Sequence, residues 1–313
     1  MSFQVLIDEP LPENLSDMLT PACTLHLWSD MTLDDDRYVR VVGLFTYGHR
    51  RVDAAIMDRT PGLRIISNFG VGVDHIDLEA AKTRGIPVGN TPRLLDGATA
   101  DMTFALLMAA ARNVVTGDRY ARSAAFTHYD PSILHGAEIH GSTIGIVGMG
   151  SIGKQVARRA SGFDMTILYH NRRRDPDDAR YHAAYVSLDE LLERADFVTL
   201  NCPLTSETRH LIDRKALRRM KPTAILVNLA RGGVVDHDAL VEALQNQWIA
   251  GAAIDVTEPE PLPRNHPLLG LDNVVIAPHL GSATTQTRMA MARRSADNLL
   301  AGLENRPLIT RVV

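Results

Sequence analysis

Two cysteines, Cys23 and Cys202, are all that 313 residues contain, so no disulfide framework holds this chain and a reducing compartment is expected. Neither cysteine stands in a metal-ligand pair, and no metal site is predicted. Long hydrophobic runs are also missing: residues 104–111 form an unbroken apolar stretch of only eight, far short of the ~20 that a bilayer requires. The opening decapeptide MSFQVLIDEP has no basic lead-in and breaks its apolar run at Asp8. A secretory signal is therefore not expected, and the cytoplasm is the expected location. Charge of one sign is scarce as well, since 33 basic against 37 acidic residues leave a net charge of −4. That supplies no general field toward a nucleic-acid backbone or an anionic membrane surface. No low-complexity tract and no period of 20 to 50 residues is found, which argues against a solenoid.

What is present is ordinary globular usage, 45% hydrophobic and 22% charged, in a chain long enough for two domains at roughly 100–200 residues each. Short runs rich in Val, Ile and Leu recur at residues 4–7, 41–45, 64–68, 143–147, 166–169, 197–201, 224–228, 251–255 and 274–277. Helix-length pieces such as 151–161, 188–195 and 236–246 lie between them. Strands regularly interleaved with helices predict βαβ units, a parallel sheet and an α/β fold. Two longer helical patterns, 99–123 and 285–303, flank the central region. They suggest a discontinuous layout, in which residues 1–96 and 288–313 share one domain and 97–287 form an inserted second one.

Residues 142–154 read STIGIVGMGSIGK, a β-branched run followed by Gly148, Gly150 and Gly153 and then a helical segment. This is G-x-G-x-x-G at a strand-to-helix turn. The first glycine permits the tight turn, the second lets backbone approach a pyrophosphate, and the third allows close packing of helix on strand. The end of the next strand selects between dinucleotides. An acid there would accept from the ribose 2′-hydroxyl of NAD, whereas this strand runs into His170, Asn171, Arg172, Arg173 and Arg174, with no carboxylate before Asp175. Guanidinium forks suit the extra phosphate, so NADP(H) is the expected cofactor, with weaker use of NAD(H) left open. A solvated basic loop balanced by Asp175, Asp177 and Asp178 is the competing account.

Three further segments each place an ionisable residue just past a strand: Arg231 in NLARGG, Glu260 in DVTEPEPLP and His279 in APHLGSAT. Ligands bind beyond the carboxyl ends of strands in open parallel sheets, so the three are expected to converge on the nicotinamide.

With these motifs, and with NFGVGVDHID at 68–77, NCPLTSET at 201–208, NLARGGVVD at 228–236 and PHLGSAT at 278–284, the chain resembles the D-isomer-specific 2-hydroxyacid dehydrogenases. Within that family it is most similar to the NADPH-dependent glyoxylate/hydroxypyruvate reductases. The resemblance implies two Rossmann-like domains, a flavodoxin-like substrate domain (1–96 and 288–313) and an inserted dinucleotide-binding domain (97–287). It also implies a catalytic trio of Arg231, Glu260 and His279, the glutamate being selected over Glu258 by its spacing to the histidine. Backbone amides at Val71 and Gly72 would hold the substrate carboxylate with Arg231, Thr103 would contact cofactor phosphate, and Asp255 would bind the carboxamide. Further cofactor contacts are implied at Gly148, Gly150, Ser151, Ile152, Gly153, Asn171, Arg172, Arg173, Cys202, Pro203, Thr208, Leu229, Ala230, His279 and Gly281.

The implied reaction is reduction of a small 2-keto acid, glyoxylate or hydroxypyruvate, to a D-2-hydroxy acid. Arg231 would polarise the carbonyl, His279 would donate the proton, and Glu260 would stabilise the protonated imidazole. A homodimer is expected through residues 104–111 and the loop bearing Phe126, Tyr129, Ile133 and Leu134. Related folds also act as dinucleotide-sensing corepressors, which recruit partners through extended flanks. Formate dehydrogenases carry glutamine where Glu260 stands, while phosphite oxidation is left open by the motifs alone.

Overall fold

The computed structural model describes residues 2–32, 35–48 and 50–313, which divide into two compact units, Met1–Leu95 with Thr284–Val313, and Asp96–Ala283. The first unit opens with β1 (Phe3–Ile7), α1 (Glu13–Leu19), β2 (Cys23–Leu27), β3 (Val41–Thr46), α2 (Ala54–Arg59), β4 (Ile65–Asn68), α3 (Leu78–Thr83) and β5 (Val88–Gly89). Its five strands are parallel in the order β2-β1-β3-β4-β5, the flavodoxin-like arrangement. Asp53 and Asp77 begin α2 and α3 by accepting the amide three residues on, which satisfies one of the orphan donors of each helix.

The second unit contains α4 (Asp96–Ala111), α5 (Val114–Ala121), β6 (Thr143–Val147), α6 (Ser151–Ser161), β7 (Thr166–His170), β8 (Ala183–Tyr185), α7 (Leu188–Arg194), β9 (Phe197–Leu200), α8 (Arg214–Arg219), β10 (Ile225–Asn228), α9 (His237–Gln245), β11 (Gly251–Ile254) and β12 (Val274–Ile276). Seven parallel strands run in the order β12-β11-β10-β9-β6-β7-β8. This is a doubly wound sheet whose strand order reverses between β6 and β9. All residues of β9, β10 and β11 are buried, because helices cover both faces and water reaches neither. The α/β class and its two parallel sheets agree with the sequence expectation.

One expected element is corrected. The helical pattern at 99–123 is broken into α4 and α5 by Asn113, whose φ of +52° is left-handed. The break is tertiary in origin: the returning chain lays Ala137 N–H on the Ala111 carbonyl at 2.8 Å, while Asn113 Nδ2 donates to the carbonyls of Leu134 and His135. At Gly136 any Cβ would lie 2.1 Å from the Ala111 oxygen, so only glycine lets the two segments touch.

The chain then rejoins the first unit as α10 (Thr285–Leu303), the helix expected at 285–303. Small residues bring it against the sheet, with a Cβ on Gly302 falling 2.5 Å from Ile65 Cβ and Ser67 donating to the Ser295 carbonyl at 2.7 Å. Asn298, fully buried, fastens the C-terminal segment by donating to the Asn90 carbonyl and Thr310 Oγ1 and accepting from Thr310 N–H. An Asn298→Leu substitution leaves these backbone groups without partners and is expected to destabilise the protein by about 1–3 kcal/mol. Urea unfolding monitored by circular dichroism measures this, and an unchanged midpoint would contradict the assignment.

Candidate active site

The turn after β6 sits at the point where strand order reverses. Gly148 has φ +98°, and a Cβ there would lie 2.6 Å from Cys202 N, so the turn packs directly on the backbone leaving β9. A Cβ on Gly153 would fall 2.3 Å from the Gly148 carbonyl oxygen, which is the close helix-to-strand contact the motif requires. Gly150, by contrast, faces open space, with nothing within 4 Å of an added Cβ. It starts α6 without a side-chain cap, so Ser151, Ile152 and Gly153 present helix-terminal amides at the positive end of the helix dipole. An uncapped N-terminus beside a bare glycine and open space fits a dinucleotide pyrophosphate. Asn171 Oδ1 accepts from Met149 N–H at 2.7 Å, and its main-chain oxygen accepts from Tyr185, so this residue braces the turn from the end of β7.

The acidic residues that follow are largely committed elsewhere. Lys154 pairs with Asp175 and Asp177, and Arg174 with Asp178. Arg172 is 82% exposed and meets the exposed Glu207 at 3.4 Å; Arg173 is exposed and, among the described residues, in no ion pair. Thr208 closes the 203–208 loop on itself, donating to the Pro203 carbonyl and accepting from Thr205 N–H. Burial pushes the Cys202 thiol up to about 11, which keeps it protonated and unreactive. Thr103 is buried in α4, its hydroxyl donating to the Thr99 carbonyl at 2.9 Å.

Arg231, Glu260 and His279 follow β10, β11 and β12, neighbours in the sheet. Asn228 organises the first of them: fully buried, it accepts from Ala230 N–H and donates to the Arg231 carbonyl, which leaves Leu229 and Ala230 half-buried at the strand end. Sequence reasoning did not single out Asn228, although a polar residue closing an apolar strand was a visible signal. Arg231 Nη1 donates to the Ala230 carbonyl at 2.9 Å.

His279 Nδ1 lies 2.7 Å from Glu260 Oε1, while Glu260 Oε2 accepts from Thr257 N–H. Burial acts to raise the Glu260 carboxyl, but the His279 hydrogen bond and charge, the Thr257 amide and the Arg231 charge outweigh it and hold it below its ordinary value. It is therefore ionised at neutral pH. Glu258, two residues earlier, turns to Arg209 instead.

His279 adopts φ +56°, a left-handed conformation that is costly for a residue with a Cβ. Asp255 maintains it: 2% exposed, its two carboxylate oxygens accept from Leu280 N–H at 2.6 Å and Gly281 N–H at 2.7 Å, and its carbonyl accepts from His279 N–H. Burial pushes the Asp255 carboxyl above its ordinary value, against the pull of the two amides.

Val71 and Gly72 belong to the first unit. Asn68 draws in the carbonyls of Gly70 and Gly72, and Asn90 that of Val71.

A doubly wound parallel sheet with a glycine turn at its switch point defines a dinucleotide-binding protein. Residues 104–281 match the NAD-binding domain of the D-isomer-specific 2-hydroxyacid dehydrogenases. The chain is 46% identical over 311 residues to a glyoxylate reductase of Korarchaeum cryptofilum, covering 96% of this chain and 93% of that one. It is also 46% identical to a glyoxylate reductase of Pyrococcus furiosus, over 96% and 92% of the two chains. The crystal structure of an NADPH-dependent glyoxylate/hydroxypyruvate reductase from Sinorhizobium meliloti, with NADP and malonate, superposes with a TM-score of 0.91 at 31% identity, covering 100% and 97%. The chain belongs to the D-isomer-specific 2-hydroxyacid dehydrogenase family. It is an NAD(P)-dependent oxidoreductase, and among its described residues no helix is long and apolar enough to cross a membrane.

The glycine turn is directly testable. Gly153→Ala forces the Gly148 carbonyl or α6 to move, with an expected stability loss of about 1–3 kcal/mol and a roughly tenfold or greater weakening of dinucleotide binding. Fluorescence titration with NADPH and NADH reads the affinity, and wild-type binding of both would refute the close packing described.

Proposed function

We propose that this enzyme reduces glyoxylate and hydroxypyruvate to D-2-hydroxy acids with NADPH, using His279 as the proton donor. The observation that carries this reading is the 2.7 Å contact between His279 and an ionised Glu260, on loops that follow adjacent strands beside Arg231. The cofactor, when bound, supplies the reducing equivalent from its nicotinamide.

The protein's own residues do the rest. Arg231 presents a guanidinium fork to the carbonyl and carboxylate oxygens of the 2-keto acid and polarises the carbonyl. His279, protonated and oriented through Nδ1 by Glu260, delivers a proton from Nε2 to the keto oxygen. Glu260 stabilises the imidazolium before transfer, and Asp255 keeps the histidine in its strained backbone conformation. The N–H groups of Val71 and Gly72 are assigned the substrate carboxylate, an anion that backbone donors suit. The glyoxylate reductases of Korarchaeum cryptofilum and Pyrococcus furiosus support glyoxylate as an acceptor, and the Sinorhizobium meliloti enzyme supports hydroxypyruvate.

The cofactor preference is inferred from Arg172 and Arg173. Asp175, Asp177 and Asp178 are engaged by Lys154 and Arg174, so the two guanidinium groups keep most of their positive field for a 2′-phosphate. Of the two segments expected at a dimer contact, the helix buries Phe104, Leu106, Leu107 and Ala111 in the chain's own core, whereas Phe126, Tyr129, Ile133 and Leu134 of the loop are exposed; a second copy of the chain would cover these loop side chains.

The expected outcomes are as follows. In a panel of 2-keto acids, glyoxylate and hydroxypyruvate with NADPH should give the highest kcat/KM, and Arg172→Ala should erode the preference over NADH by about 1–3 kcal/mol. Equal kcat/KM for the two cofactors, or a better rate on phenylpyruvate, would overturn the assignment. His279→Ala should lower kcat by roughly 10² to 10⁴ with NADPH affinity retained. Glu260→Gln should lower kcat, because the imidazole loses the carboxylate that orients it through Nδ1; near-normal turnover of His279→Ala would rule out this acid. Sedimentation at micromolar concentration should show twice the 34.4 kDa chain mass, and a monomer would count against the dimer.

A further inference from the structure

The two glutamates that flank Pro259 turn to different partners, and only Glu260 has a part in the chemistry above. Glu258 is gripped by both terminal nitrogens of Arg209, Nη1 to Oε2 at 2.9 Å and Nη2 to Oε1 at 2.8 Å. Such a fork is directional as well as attractive, since two parallel bonds fix the angle between the groups. The Arg209 hydrogen bond is the main influence holding the Glu258 carboxyl below its ordinary value; burial opposes it, and the charges of Arg209, His210 and His237 reinforce it.

The pair sits where the turn carrying Arg231 meets the loop carrying Glu260. A Cβ on Gly232 would lie 2.1 Å from the Thr257 carbonyl carbon and 2.5 Å from Glu258 N, so the turn lies flat on the backbone of 257–258. The Glu258 carboxylate covers the next residue, with Oε2 2.9 Å from where a Gly233 Cβ would be. Arg209 is itself anchored to that same turn, because the segment after it donates His210 N–H to the Gly233 carbonyl at 2.8 Å and Ile212 N–H to the Val234 carbonyl at 3.1 Å. The guanidinium thus reaches from a segment fastened to 233–234 across to residue 258.

We propose that Arg209 and Glu258 are positioning residues whose clamp sets the spacing between Arg231 and the Glu260–His279 pair. The proposal rests on the roles given to those three residues above. Neither clamp residue touches the reacting groups; both act through the segments that carry them. Chemistry of this kind responds to displacements of about 1 Å, and two loops joined to separate strands can drift by that much without unfolding. The side chains are 50% and 39% exposed, so removing one leaves the other hydrated. The clamp should therefore add little to stability, and its loss should appear in the rate.

The test compares Arg209→Ala, Glu258→Gln and Arg209→Lys in the full-length enzyme, measuring kcat with glyoxylate, the Kd of NADPH and the unfolding temperature. Arg209→Ala and Glu258→Gln are expected to lose roughly tenfold or more in kcat, with NADPH affinity within about twofold and an unchanged unfolding temperature. Arg209→Lys should recover part of the loss, because an ammonium keeps the charge without the fork. In a His279→Ala background, Arg209→Ala should cost much less than it does alone, as expected for groups acting as a unit. Wild-type kcat in Arg209→Ala beside an inactive His279→Ala would overturn the clamp and spare the functional reading. A kcat loss that merely follows lowered stability would also overturn it. Full turnover in His279→Ala would bring down the functional reading and the clamp together.

Discussion

A buried carboxylate governs the geometry around the histidine. Asp255 stands at the end of β11 with both oxygens occupied by the amides of Leu280 and Gly281, and its carbonyl receives the amide of His279. Three consecutive N–H groups of one loop are therefore bound to a single residue of the neighbouring strand. That concentration of hydrogen bonds offsets the cost of a left-handed histidine, which for a residue with a Cβ is of order 1–3 kcal/mol. It also explains why the imidazole meets Glu260: the loop has little freedom to turn it elsewhere. Burying this carboxylate carries a penalty that the two amides offset only in part, as its raised proton affinity shows.

Close backbone approach is the second constraint. Gly148 against Cys202, Gly153 against the Gly148 carbonyl, and Gly232 against Thr257 are contacts in which a Cβ has no room. They place strand ends nearer to one another than side chains would permit, and they do so on the carboxyl edge of the sheet. The same economy of space leaves Gly150 facing open volume next to uncapped helix amides. Anion binding there follows from the helix dipole and from unsatisfied donors rather than from any charged side chain.

The sequence was most legible where period and composition agree. Buried, mostly apolar strands in the second unit, the glycine turn, and the helices at 151–161 and 285–303 were visible because buried strands and amphipathic helices carry strong patterns. Elements held mainly by their neighbours were not. The strands β5 and β8 span only two and three residues, and β2, β5 and β8 all lie at sheet edges; the helices α1, α2 and α3 span only six or seven residues. Asn113 and Gly136 interrupt a helical pattern through a contact that no local rule reveals.

Residue type and order alone determined the α/β class, the dinucleotide turn, and the presence of an arginine, a glutamate and a histidine just past successive strands. These follow from short-range rules: which side chains suit a buried strand, and which spacing permits a tight turn. Only the tertiary structure decided which groups meet. The resemblance had already pointed to Glu260, but that Glu258, two residues away, turns to Arg209 was not legible; Asn228 and Asp255 hold loops; Lys154 draws off Asp175 and Asp177, while Asp178 pairs with Arg174. Each outcome depends on the angle at which a loop leaves its strand. That angle is set by backbone contacts and hydrogen bonds between segments distant in the chain, which linear spacing does not encode.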